Sequence, residues 1–314
     1  QEVKTGDTLC AKDKKVVLDA IKFPLPCLPL AVTPKSKGDE DKLSSALSRL
    51  VDEDPTISVG KNTETKQTIL SGLGEMQLDI VCEKLARKFG VDVETQVPKI
   101  PYRETIKKQV QVEGKHKKQS GGHGQYGHVW IRMGPNPDKD FEFTEEIFGG
   151  AVPKNFFPAV EKGLREAMAE GFLAGYPMTN IKFTLYDGSY HSVDSSEMAF
   201  KLAAILAFKK GAEQAGAVLL EPVVEVEVKV PESFMGDVIG DLNSKRGRVL
   251  GMEPDGKFQV IKAHVPQAEM MRYAVDLKAM TQGRGSFSTK FVGYEEVPAR
   301  LSESLVAQLK AEQE

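Results

Sequence analysis

Cysteine is scarce in this chain of 314 residues: Cys10, Cys27 and Cys82 are too few and too scattered for a disulfide framework or a C-x-x-C zinc motif. A reducing, cytoplasmic compartment is the expectation that follows. Long apolar runs are missing as well. No stretch approaches the roughly 18 residues that a membrane-spanning helix needs, and no signal peptide is visible, so no membrane partner is expected. The phosphate-binding pattern G-x-x-x-x-G-K-[ST] does not occur. Gly60-Lys61-Asn62, Gly114-Lys115-His116 and Gly256-Lys257-Phe258 each lack the hydroxyl that would ligate Mg2+. Asp237-Val238-Ile239-Gly240 matches a four-residue GTPase signature, but so short a pattern reads better as helix packing. A dominant charge of one sign is absent too, the formal net charge being −3. Any affinity for nucleic acid must therefore come from local patches.

One such patch is present. Between Tyr102 and Arg132 stand seven basic residues (Arg103, Lys107, Lys108, Lys115, Lys117, Lys118, Arg132) against two acidic ones (Glu104, Glu113). The hydrophobic content of 40% and charged content of 28% are those of a globular protein. The length suggests two to four domains. Gln1 is not a translational start, and Gly6-Asp7-Thr8-Leu9 looks like a turn inside an older domain, so the chain reads as a fragment of something longer.

Residues 1–23 read as a strand and turn remnant ending in the alternating Val16–Ile21. Pro24, Pro26 and Pro29 mark a stiff junction. Strand-like Leu28–Thr33 is followed by a helical pattern over Asp39–Val51, with Leu43, Ala46, Leu47 and Leu50 on one face and Asp39 or a neighbour as cap. Thr56–Val59 and Gln67–Leu70 read as strands joined through Gly60-Lys61-Asn62. Glu75–Phe89 reads as a second helix whose apolar positions are Met76, Ile80, Cys82, Leu85 and Phe89. Gly90 ends it, and Val91–Val97 alternates as a strand. The string is β-α-β-β-α-β, the split βαβ pattern of ferredoxin-like domains. It recurs at the far end: strand Val223–Val230, helix Phe234–Leu242, strands Arg248–Glu253 and Gln259–Val265, helix Glu269–Met280 and strand Ser286–Tyr294. Between the copies lies a block from Pro101 to near Pro222, with helices over Pro158–Gly171 and Met198–Ala215. The second of these spaces Met198, Leu202, Ile205, Leu206 and Lys209 helically.

Two polar, glycine-rich loops of the middle block carry the chemistry. The first runs from Lys115 through Gly121-Gly122-His123-Gly124-Gln125-Tyr126-Gly127 to His128, the second from Gly188-Ser189-Tyr190-His191 to Glu197. His191, Asp194 and Ser195 match a nucleophilic triad by residue type, which makes a stand-alone hydrolase the competing reading. Residues so close along one turn rarely reach each other in the required order, and Asp194 or Ser195 is better placed as a helix cap, with Glu197 near for a capping box. His116, His123, His128 and His191 share the block, but no cysteine accompanies them, so no metal site is expected. RNA contact fits the inventory. Gly121, Gly122, Gly124 and Gly127 permit close approach of a phosphate, Tyr126, Tyr190 and the imidazoles can stack on unpaired bases, and Lys115, Lys117 and Lys118 can neutralise phosphates.

Along almost its whole length the chain resembles translation elongation factor G. The resemblance rests on Tyr102-Arg103-Glu104-Thr105-Ile106, Gly114-Lys115-His116 through Gly127-His128-Val129, and Gly188-Ser189-Tyr190-His191 through Glu197. Leu219-Leu220-Glu221-Pro222, Gly236-Asp237-Val238-Ile239-Gly240-Asp241-Leu242 and Thr281-Gln282-Gly283-Arg284-Gly285 add to it. It implies an α+β architecture of three domains: two ferredoxin-like modules, 24–100 (domain III) and 222–314 (domain V), flanking a ribosomal-protein-like domain of left-handed βαβ type, 101–221 (domain IV). Residues 1–23 would be the tail of the β-barrel domain II.

The resemblance also implies a role: the ribosome-binding part of a translational GTPase that promotes tRNA–mRNA translocation, with the domain IV tip entering the decoding-side A site. By matching position, the tip contacts to tRNA and mRNA would be Ser120, Gly121, Gly122, His123, Gly124, Gln125 and Tyr126 from the first loop. Ser189, Tyr190, His191, Ser192 and Asp194 would come from the second, while Lys115, Lys117 and Lys118 would meet rRNA phosphates. No catalytic residue and no cofactor is implied in this chain; GTP and Mg2+ would sit in an N-terminal domain of the parent factor. The expected partners are the ribosome with its rRNA and proteins, tRNA and mRNA, and the expected state is a monomer. His123 stands where housekeeping factors carry arginine, so the chain also resembles the factor-G-like second paralogue, including a ribosome-protection or recycling role. A neutral imidazole there would make the tip contact weaker or pH-sensitive.

Overall fold

The structure is a computed structural model and describes residues 3, 5–118 and 124–311. It is of the α+β class and divides into two compact units, Gln1–Pro101 with Pro222–Gly293, and Tyr102–Glu221 with Tyr294–Glu314. The described residues before Cys27 form no strand, contrary to the alternation of Val16–Ile21. Val16, Val17, Leu18 and Ile21 are all more than half exposed. Alternation makes a strand only where a neighbouring strand takes up the backbone groups, and here the Leu18 N–H turns to the Thr8 hydroxyl instead (3.1 Å).

In the first unit, β1 (Leu28–Pro34), α1 (Glu40–Glu53), β2 (Ser58–Lys61), β3 (Thr68–Gly72), α2 (Glu75–Phe89) and β4 (Val93–Gln96) follow one another. The sheet order is β2-β3-β1-β4 with every pair antiparallel, the arrangement of the split βαβ pattern. α1 buries Leu43, Ala46, Leu47 and Leu50, as their i, i+3, i+4, i+7 spacing dictates. Asp39 stands at its N-cap position without capping, because its carboxylate is taken by Lys42 Nζ (2.8 Å). α2 buries Leu78, Val81 and Leu85, whereas Met76 and Ile80 are exposed. The expected face mixed two sides of the helix, since at about 100° per residue positions 76 and 80 lie roughly 100–180° around the helix from 81 and 85. Gly90 ends α2 with φ 64°, the left-handed geometry that glycine adopts without strain.

In the second unit, β5 (Arg103–Ile106), β6 (Val110–Lys118), β7 (Gln125–Pro135), β8 (Phe141–Glu145), α3 (Phe157–Glu170), β9 (Ile181–Ser189) and α4 (Glu197–Gln214) come in order. The main sheet runs β6-β7-β9-β8, and β8 pairs with β9 in parallel across the α3 crossover. α3 and α4 close one face of it. The buried side of α4 is not the expected Leu stripe. It consists of Ala199, Phe200, Ala203, Ala204, Ala207, Phe208, Gly211 and Ala212, while Met198 and Leu206 are exposed.

Small residues let this helix sit almost on the strand backbones. A Cβ on Gly114 would lie 2.0 Å from the Ala203 carbonyl oxygen, and one on Gly127 would lie 2.3 Å from that of Ala199. Beside α3, Glu104 is fully buried and its carboxylate accepts four main-chain N–H groups, from Phe172 and Leu173 (2.7 Å each), Ala174 (2.7 Å) and Tyr176 (3.1 Å). The charge is thus fully hydrogen-bonded where water is excluded.

The remaining elements are β10 (Ala217–Pro231), α5 (Met235–Ser244), β11 (Arg248–Asp255), β12 (Phe258–Pro266), α6 (Tyr273–Met280), β13 (Ser286–Glu296) and α7 (Ala299–Ala311). The order β11-β12-β10-β13 repeats that of the first module. Val224, Val226, Val228 and Val230 are all buried and pack with Val238, Leu242 and Leu277. α6 begins later than Glu269 because a 3-10 turn occupies Gln267–Met270. α7 lies beyond the elements that the patterning predicts.

Candidate nucleic-acid interface

β6 and β7 form a hairpin, and β9 runs beside β7, so both loops leave the same end of the sheet. Gln119 to His123 lie outside the described residues, and with them Ser120, Gly121, Gly122 and His123 of the expected tip. From Gly124 onward the two loops are bonded together. Gly124 N–H donates to Asp194 Oδ1 (3.0 Å), Tyr126 N–H to the Asp194 carbonyl (2.8 Å), and the Ser195 hydroxyl to the Tyr126 carbonyl (2.9 Å). Asp194 therefore holds the first loop with both side chain and main chain. The short reach of an aspartate suits such an Asx-type bond to nearby amides.

The second loop is folded on its own imidazole. His191 Nδ1 accepts from the N–H groups of Val193 (3.3 Å) and Asp194 (3.2 Å), while His191 N–H donates to Ser195 Oγ (2.9 Å). Two donors on Nδ1 assign the ring proton to Nε2. The Asp194 carboxylate stands 3.4 Å from the same Nδ1. This geometry rules out the triad: the Ser195 hydroxyl is committed to the Tyr126 carbonyl, and the ring nitrogen near the acid is an acceptor rather than a held N–H. Helix capping falls to Ser196, whose Oγ accepts from Ala199 N–H (3.2 Å), not to Asp194 or Ser195. Tyr190, His191, Ser192 and Val193 face outward and are exposed.

Beneath the tip, a polar row crosses three strands. Tyr126 Oη and His128 Nδ1 each lie 2.7 Å from Ser189 Oγ, and His128 Nε2 lies 2.9 Å from Glu113 Oε1, a close approach without hydrogen-bond alignment. Glu113 was not expected in the site, and His128 only as one of the loop's imidazoles; Tyr126 and Ser189 were. The cross-strand register that pairs His128 with Ser189 passes a bulge after Trp130, which spacing alone does not reveal.

Strand alternation separates the three lysines. Lys115 pairs with His128 and Lys117 with Tyr126, so both lie on the sheet face away from α3 and α4. Lys118 and Gln125 point to the other side, where Gln125 Oε1 meets His116 Nε2 (2.9 Å). Gly127 serves packing against α4, as the contact with Ala199 shows, and not approach to a phosphate. Among the described residues, no cluster of His, Cys, Asp or Glu is placed to hold a metal ion, and no helix is long and apolar enough to cross a membrane.

The chain matches three family models: Elongation Factor G, domain III over residues 23–97, Elongation factor G, domain IV over 98–216, and Elongation factor G C-terminus over 218–305. A crystal structure of a protein from Thermus thermophilus is similar, with a TM-score of 0.80 and 44% sequence identity. The match covers 94% of this chain and 44% of that one, so the chain spans less than half the length of its structural relative. The modules with one strand order, the domain between them and these matches agree, and the chain belongs to the elongation factor G family.

Proposed function

We propose that this chain is the ribosome-binding part of a translational GTPase and that it promotes tRNA–mRNA translocation, with the joined loops entering the decoding-side A site. The observation that carries this reading is the pair of hydrogen bonds that Asp194 accepts from the first loop, from Gly124 N–H and Tyr126 N–H. It makes two separate loops one exposed tip, with Tyr190 and His191 outward on a helix-backed sheet. Loops joined in this way can bias an equilibrium between two tRNA positions by making different contacts in each. Stacking and hydrogen-bonding groups on an irregular exposed loop suit unpaired or looped RNA.

GTP and Mg2+ belong to another part of the whole factor in this reading. The Gly-Lys pairs here are followed by Asn62, His116 and Phe258, none of which offers the hydroxyl that a nucleotide-bound Mg2+ takes. Co-sedimentation with ribosomes at increasing salt tests the reading. Apparent affinity should fall by about 0.7–0.9 log units per log unit of salt for each phosphate contacted, and a flat response would refute it.

A further inference from the structure

The face of the second unit's sheet that α3 and α4 leave uncovered is not a bland solvated surface. Its centre is aromatic. Trp130, the one tryptophan of the chain, lies half-buried beside Tyr186, with ring centroids 6.4 Å apart. The Arg132 guanidinium lies over the Tyr186 ring at 5.3 Å. One end of the same face carries Tyr126, with Lys115 Nζ 5.9 Å from its ring centroid and Lys117 directly across the strand pair. Along β7, residues 126, 128, 130 and 132 take this face by strand alternation, while Gly127, Val129, Ile131 and Met133 turn to the core.

We propose that this face is a base-stacking platform for unpaired RNA, a second contact continuous with the tip, and it rests on the reading of the chain as an RNA-contacting factor. Flat rings at alternate positions of an open sheet offer π-faces to successive unstacked bases, and an arginine plane can do the same. Three cations, Lys115, Lys117 and Arg132, flank the rings. Glu113 and Asp187 share the face, and Glu146 meets Arg132 at 3.3 Å in an exposed pair that an incoming phosphate can replace at little cost. The three cations are matched by these three carboxylates, so the platform is assigned to stacking first and phosphate attraction second. A duplex, which hides its base faces, is a poor ligand for it.

The single tryptophan makes the test direct. The 314-residue chain is titrated with a short single-stranded RNA of mixed sequence, and the emission of Trp130 is followed; the same sequence as a duplex is the comparison. Saturable quenching by the single strand and none by the duplex at equal concentration is expected. Tyr186→Ala should weaken binding about 5- to 150-fold, while Tyr186→Phe, which keeps the ring and loses the hydroxyl contact to Gln111, should bind as the parent does. Phe148→Ala removes an exposed aromatic elsewhere and should change nothing. Equal quenching by duplex, quenching by an acidic peptide but not by RNA, or indifference to Tyr186→Ala each overturns the platform. Those outcomes leave the tip untouched: a factor whose translocation still depends on His191 would keep the proposed function and lose only this surface.

Discussion

Ser195 and Tyr126 are joined twice over: the serine hydroxyl donates to the tyrosine carbonyl at 2.9 Å, and the two residues form a parallel bridge. The same hydroxyl accepts the His191 N–H at 2.9 Å. One side chain thereby fixes the second loop's internal turn and its attachment to the first.

Ser195→Ala should loosen the tip without unfolding the unit. Losing its two neutral hydrogen bonds costs about 2 kcal/mol, which is roughly a thirty-fold rise in the opening equilibrium. Hydrogen exchange at the His191 amide should accelerate by about that factor, while amides of α4 stay protected. Unchanged exchange at His191 would mean that the hydroxyl is not the strut.

Gly114→Ala and Gly127→Ala should each destabilise the second unit by about 2 kcal/mol or more, since the new methyl meets helix backbone rather than a side chain that can yield. Gly60→Ala, with nothing within 4 Å of the added carbon, is the control. It should be neutral or stabilise by about 0.4–1 kcal/mol through the unfolded chain. Denaturant titration of the three variants checks the contrast.

Glu104→Gln removes one of two accepting oxygens from a site where four amides converge. With charge-assisted bonds at about 1.5–3 kcal/mol each, the loss should be about 3 kcal/mol. It should appear in chemical denaturation as a lower midpoint at unchanged slope. A loss below about 1 kcal/mol would show that the amides find other acceptors.

Asp54 gives the first unit a pH dependence. Burial raises its carboxyl pKa, but bonds from the Thr56 hydroxyl and N–H, from Gln77 and the charge of Lys84 outweigh that and hold it below the ordinary 3.8. A depressed folded-state value means stability that is present above the unfolded pKa and lost as pH falls through the folded one. The unit should therefore weaken below about pH 4, and Asp54→Asn should flatten that part of the profile. An identical acid slope in both proteins would contradict it.

Much of the fold was legible because its signals are periodic. Val224, Val226, Val228 and Val230 alternate and are all buried; Leu43 to Leu50 step helically and form one face. What escaped was decided by partners. The buried side of α4 is largely alanine and glycine, invisible to a search for large apolar residues, because Gly114 and Gly127 on the facing strands bring the backbones close. Lys118 shares a basic run with Lys115 and Lys117 yet faces the other way, which strand alternation alone decides. Ser195 looked like a cap and is a tertiary strut, since the loop it meets is 69 residues away in the chain. Of the site, the two loops were readable from composition, but the Glu113–His128–Ser189–Tyr126 row needed a register that the bulge hides.

The most direct measurement is single-turnover movement of tRNA and mRNA by the full-length factor carrying His191→Ala. The side chain is 55% exposed but accepts two main-chain N–H groups, so the second loop should loosen by about 1–2 kcal/mol while the unit stays folded. Translocation should slow about ten-fold or more, the equivalent of about 1.4 kcal/mol of barrier, while ribosome-stimulated GTP hydrolysis persists. A variant that moves tRNA and mRNA at the parent rate would contradict the assignment of this tip as the working end of the molecule.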